Sequence, residues 1–82
     1  MKDEIIAKTT VYLQQEILQQ PNRAIATDEA LISSGLIDSF SLVDVALFVE
    51  ENFDVIIDDT ELNAETFDTL EELADLIIER QG

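Results

Sequence analysis

The sequence predicts an all-α fold, a small four-helix bundle with three main helices and one short third helix. Three observations lead there. Apolar residues recur at helical spacing in three separate segments. Helix-starting signals, an Asp-Ser pair at 38–39 and an Asp-x-x-Glu at 68–71, precede two of them. The one candidate strand, residues 55–57, has no second strand to pair with. With 82 residues and 46% hydrophobic content, the chain has material for one core and one domain, residues 1–82.

The first helix is expected over residues 3–19, where Ile6, Thr10, Leu13 and Ile17 share a face, with Ile5 and Tyr12 beside it, and Pro21 ends it. Residues 22–38 hold no sustained period. Leu31, Ile32, Leu36 and Ile37 stand there as apolar pegs that would pin a long loop to the core. The second helix, residues 39–52, carries Leu42, Val45, Ala46, Val49 and Phe53 on one stripe and contains no breaker. Residues 54–67 are irregular and acidic, with a short third helix around residues 58–62. The last helix buries Leu70, Leu73, Ala74 and Ile77.

Charge narrows the partners. The formal charge is −15, and after Arg23 no basic residue occurs before Arg80. Such a surface repels nucleic acid and anionic lipid, and self-repulsion favours a monomer that meets basic proteins. No apolar run approaches the roughly 20 residues needed to cross a bilayer, and the N-terminal residues lack a secretory pattern, so the expected location is the cytoplasm. The chain has no histidine and no cysteine, which removes the usual general base, thiol nucleophile and soft metal ligands. An enzyme using Ser39 as nucleophile lacks a base, since Lys2 and Lys8 lie on another element. A calcium loop through Asp54, Asp58, Thr60 and Glu65 fails because Ile56 and Asp59 stand where a ligand and a glycine are required. No catalytic residue and no metal site are expected.

Asp38 and Ser39 are both good N-cap residues, and an ordinary cap is the simplest account of the pair. The rest of the second helix adds to it. On a helical wheel Phe40, Val43 and Leu47 fall beside Ser39 and off the core stripe, interleaved with Asp44, Glu50 and Glu51. Apolar side chains rimmed by carboxylates compose a docking surface for a partner with apolar and basic groups, unless Val43, Leu47 or Phe48 pack beneath the long loop. The positive end of the helix would also tolerate a phosphate at Ser39, so the serine is expected to cap and to serve as an attachment point.

Taken together, Gly35-Leu36-Ile37-Asp38-Ser39-Phe40, then Val43, Leu47, Val49, Glu50-Glu51 and Phe53-Asp54, resemble the acyl carrier proteins over essentially the whole chain. In that family an Asp-Ser-Leu motif opens the second helix of a four-helix bundle. The resemblance implies that Ser39, next to Asp38, receives 4′-phosphopantetheine from coenzyme A through a separate Mg²⁺-dependent phosphopantetheinyl transferase. It further implies a non-catalytic carrier of acyl or aminoacyl groups, held as thioesters and offered to acyl-transferring, condensing or ligase enzymes. Phe40, Val43, Asp44, Leu47, Glu50 and Glu51 would meet the basic docking surfaces of those enzymes. Phe40 in place of leucine, Ser41 in place of an acid and the apolar Leu36-Ile37 look more like discrete carriers dedicated to one pathway. The competing reading is an unmodified acidic helical module that binds basic proteins through the second helix alone.

Overall fold

The computed structural model describes residues 2–81, and among them every regular element is helical. Helix α1, Lys2–Tyr12, continues through a wider π turn, Leu13–Ile17, in which the Leu18 N–H reaches back to the Leu13 carbonyl at 2.8 Å. Gln19 then takes a left-handed φ of 55° and the Gln20 N–H closes on the Gln14 carbonyl at 2.7 Å. The helical path therefore stops at Ile17, short of the expected 19, and the left-handed turn at Gln19 ends it before Pro21 is reached. The buried line of the first helix is Ile5, Thr9 and Leu13; of the expected Ile6, Thr10, Leu13 and Ile17 only Leu13 is fully buried and the others are half-buried. The two lines are offset by one residue over the first two turns, and with threonines at both 9 and 10 no apolar contrast separates them. Thr10 instead turns its hydroxyl onto the Ile6 carbonyl at 2.7 Å.

Helix α2, Ser39–Phe53, buries Leu42, Val45 and Val49, with Ala46 and Phe53 half-buried, as its stripe predicts. Asp54 ends it in a left-handed conformation, φ 57°, its N–H on the Glu50 carbonyl. Helix α3, Leu70–Gln81, buries Leu70, Leu73, Ala74 and Ile77 and packs against both α1 and α2. Its cap lies one residue later than expected. Thr69 Oγ1 accepts the Glu72 N–H at 3.1 Å, and the Glu72 carboxylate accepts the Asp68 N–H at 2.9 Å.

The short third helix is one 3₁₀ turn, Asp59–Glu61. Asp58 and Glu61 form a capping box around it, with Asp58 accepting the Thr60 N–H at 2.9 Å and Glu61 the Asp58 N–H at 3.0 Å. Asn63 then stops propagation, because its Oδ1 takes the N–H groups of Glu65 and Thr66 at 3.1 and 3.0 Å. The bundle is thus three α-helices and this turn, with no strand among the described residues.

Ile25, Leu31 and Ile37 from the long loop join the buried core, with Ile32 and Leu36 packed against it. The loop is pegged as its sequence predicts, and the same burial fixes the approach to Ser39.

Candidate functional site

The turn into α2 begins with a division of labour between neighbours. Asp38 alone is the N-cap: its backbone is extended (φ −84°, ψ 173°) and its Oδ1 accepts the Ser41 N–H at 2.7 Å. Ser39 is the first helical residue and is exposed; among the described residues nothing hydrogen-bonds to its amide or its hydroxyl. The expected double role of Ser39 is corrected here. Because Asp38 does the capping, the serine hydroxyl is left available. The Ser41 backbone N–H, then the Ser41 hydroxyl, hold the Asp38 carboxyl below the usual carboxylate range. Asp38 therefore stays ionised and occupied with its own helix.

The loop before this turn is tied to the start of α3 chiefly through Asp68, with the Glu71 N–H also donating to the Thr27 carbonyl at 3.1 Å. Asp68 Oδ1 accepts the N–H groups of Ile32 and Ser33 at 2.7 and 2.9 Å, its Oδ2 accepts the Ser33 hydroxyl at 2.5 Å, and its carbonyl accepts the Leu31 N–H at 2.6 Å. The Ser33 hydroxyl first, with the neighbouring amides, lowers the Asp68 pKa. Gly35 makes the reversal that follows, at φ 81°, where a side chain would be strained. The Ile37 N–H then closes on the Leu31 carbonyl at 2.9 Å, and buried Ile37 delivers Asp38 and Ser39 to the surface. Sequence reasoning took Asp68 only as a helix start. Its bonds reach a Ser-Ser-Gly turn that begins 35 residues earlier, a pairing that no local pattern reports.

Beyond Ser39, Phe40 is 85% exposed, Val43 47% and Leu47 49%. These three residues do not pack under the loop. Phe48 does find a partner, though on α1: its ring stacks on Tyr12 with centroids 4.2 Å apart and meets Phe53 edge-on at 5.8 Å. Asp44, Glu50 and Glu51 are exposed and make no ion pair among the described residues. Three of the four basic side chains are engaged elsewhere, Lys2 with Glu71 and Asp75, Arg23 with Glu29, and Arg80 with Glu61.

One residue joins this face that the sequence did not mark. Ile56 is 71% exposed between buried Val55 and Ile57, and a cleft of about 120 Å³ opens among Val43, Ala46, Leu47, Glu50, Ile56 and Ile57. The in-out-in order is what a non-helical stretch of three β-branched residues must adopt when it crosses a core edge. Arg80 holds that stretch, donating from Nη1 to the Ile56 carbonyl at 3.2 Å while its guanidinium forks onto Glu61.

The arrangement suits covalent attachment of a phosphodiester at Ser39. The hydroxyl is free, the helix start is electropositive, and the group would project into solvent beside an apolar strip. The chain has no histidine, and no group of three or more Cys, Asp or Glu side chains placed to hold a metal occurs among the described residues. Among the described residues, no helix is long and apolar enough to cross a membrane.

Comparisons with curated proteins and with solved structures gave no match. A family model described as phosphopantetheine attachment site matches residues 13–77, which take in the Ser39 turn, the apolar strip of α2 and most of α3. With most of the chain inside that match and an all-helical bundle around an exposed serine, the protein belongs to the family of phosphopantetheine-carrying carrier proteins, whose domain is the point of covalent 4′-phosphopantetheine attachment.

Proposed function

We propose that Ser39 is the attachment residue and that the chain, acting as one monomeric domain in the cytoplasm, carries acyl or aminoacyl groups between partner enzymes. The observation that supports this most is the free Ser39 hydroxyl at the first position of α2, relieved of capping by Asp38, within a chain of this family. When bound, the cofactor supplies the thiol on which cargo is held as a thioester, a group that the cysteine-free chain lacks.

The protein's own residues do the rest. Asp38 rigidifies the helix start, and the Asp68-held loop fixes where Ser39 sits. Phe40, Val43, Leu47 and Ile56 offer apolar contact, while Asp44, Glu50 and Glu51 attract basic enzyme surfaces. Contacts of this kind raise encounter rates without long residence, as a shuttle between enzymes requires. The departures at Phe40, Ser41 and Leu36-Ile37 favour a carrier dedicated to a single pathway over a general fatty-acid carrier.

Intact mass after incubation with coenzyme A, Mg²⁺ and a broad-specificity phosphopantetheinyl transferase tests the assignment. The wild type is expected to gain one phosphopantetheine and Ser39→Ala none. An unmodified wild type would replace this assignment with that of an acidic interaction module, and equal gain by the variant would remove Ser39 as the attachment residue.

A further inference from the structure

A second depression lies on the other side of Leu47 from the Ile56 cleft, between α1 and α2. Its floor is the Tyr12–Phe48 stack, fixed in place because the Tyr12 hydroxyl donates to the Asp44 carbonyl at 3.1 Å. Glu16, Asp44 and Glu51 line it, and it has a volume of about 390 Å³. It runs into a larger groove of about 540 Å³ over Val11, which is 46% exposed, with Lys8 at that end. Charge is therefore graded along the groove: Glu16, Asp44 and Glu51 surround the stack, Glu16 lining both depressions, and the cation Lys8 stands at the Val11 end.

None of the three carboxylates is in an ion pair among the described residues. Burial raises the Tyr12 pKa, and Asp44, Glu16 and Glu51 raise it further, consistent with their converging on the ring. A lysine ammonium keeps its water shell and satisfies such a site poorly. An arginine guanidinium is planar and weakly hydrated, lies against aromatic rings, and forks onto carboxylates.

We propose that this groove receives an arginine side chain of a basic partner protein, its guanidinium at the Tyr12–Phe48 pair among Glu16, Asp44 and Glu51, and a neighbouring apolar residue over Val11. The face extends the docking surface onto α1. With Leu47 as the ridge between them, a partner would straddle α2, an apolar group in the Ile56 cleft and arginine in the Tyr12 groove. The inference rests on the carrier reading only for the existence of a basic partner.

Amide chemical shifts of the full chain, titrated with N-acetyl-arginine amide and separately with N-acetyl-lysine amide at matched ionic strength, test it. Arginine amide is expected to give saturable shifts at Tyr12, Glu16, Phe48 and Glu51, with affinity about 2–5-fold above lysine amide, the range for an exposed cation on an aromatic ring. Glu16→Gln with Glu51→Gln should weaken arginine binding about fivefold, as two partly exposed ion pairs allow. Shifts spread over the whole acidic surface and equal for both amides would overturn the proposal, as would an unaffected double variant. Concentration-dependent shifts at the same residues without ligand would assign the groove to a second copy of the chain and overturn it too. Mass analysis of the same samples after transferase treatment separates the two questions. A chain that is loaded but ignores arginine sinks this inference alone, and one that binds arginine but is never loaded sinks the carrier reading.

Discussion

Leu31→Ala asks whether the loop ahead of Ser39 is held by its apolar peg. Leu31 is fully buried, its N–H meets the Asp68 carbonyl, and its carbonyl receives the Ile37 N–H, so packing and both backbone bonds meet at one residue. Truncating a buried leucine to alanine costs about 2–5 kcal/mol, the transfer of the lost methyl groups plus the cavity left behind. A site on a loop can partly collapse, so the lower half, about 3 kcal/mol, is expected. Against a total stability of about 4–12 kcal/mol for a domain of this length, that is a large share. The melting temperature should fall by about 12–24 °C, taking about 4–8 °C per kcal/mol for a small domain. Urea denaturation followed by circular dichroism gives the free energy, and transferase loading well below the new midpoint gives the functional effect. Loading should slow, because the Ile37 anchor that delivers Ser39 loses its partner. A loss under about 1 kcal/mol, below the range for a buried leucine, together with unchanged loading, would refute the claim that Leu31 docks the loop.

Thr9 is buried and its Oγ1 finds no partner among the described residues, so Thr9→Val, nearly isosteric, should stabilise by about 1–2 kcal/mol in the same urea assay; a loss of stability would show that the hydroxyl is hydrogen-bonded in solution. Glu61 has its pKa pulled down to about 2, first by the Arg80 guanidinium and then by the Asp58 amide. A lowered carboxyl stabilises the fold above its unfolded pKa near 4.5 and loses that contribution as pH falls toward 2, so acid unfolding should begin in this window and Arg80→Ala should begin it at higher pH. Coincident acid titrations of wild type and variant would contradict this. Asp68→Asn keeps acceptor capacity on one oxygen but removes the charge, and amide hydrogen exchange should accelerate at Ile32 and Ser33 more than in the α2 core; uniform protection would remove Asp68 from its role in the loop. Glu50→Lys with Glu51→Lys should slow transfer to a basic partner enzyme at low salt and much less at high salt, and a rate indifferent to both changes would exclude these acids from docking.

The helices were legible where side chains alone set the pattern. The Leu42-Val45-Val49 stripe of α2 and the Leu70-Leu73-Ala74-Ile77 stripe of α3 are buried as their spacing requires. Boundaries that depend on backbone bonds were less visible. The left-handed Gln19 ends α1 early, Asn63 limits the third helix to one turn, and Thr69 takes the cap expected at Asp68. At the candidate site, the exposed Phe40, Val43 and Leu47 could be read from the wheel, since a minimal bundle has no use for them inside. Ile56 could not, because its exposure depends on Arg80 holding its carbonyl from the other end of the chain. Tyr12 likewise enters the α2 surface only through a stack that no local sequence pattern encodes.

The bonds between Asp68 and the turn at residues 31–33 also set an order of events during synthesis. Ser39 and its helix are synthesised before the residue that holds their approach has been made. At about 5–20 residues per second, the 35 residues from Ser33 to Asp68 take about 2–7 s to add. During that interval the serine is present without its scaffold. A transferase that requires the docked loop would therefore modify only chains whose last helix has arrived, and chains truncated before residue 68 should resist loading. Attachment of the arm would then report that the loop ahead of Ser39 has docked on Asp68, so that cargo is not placed on chains still folding.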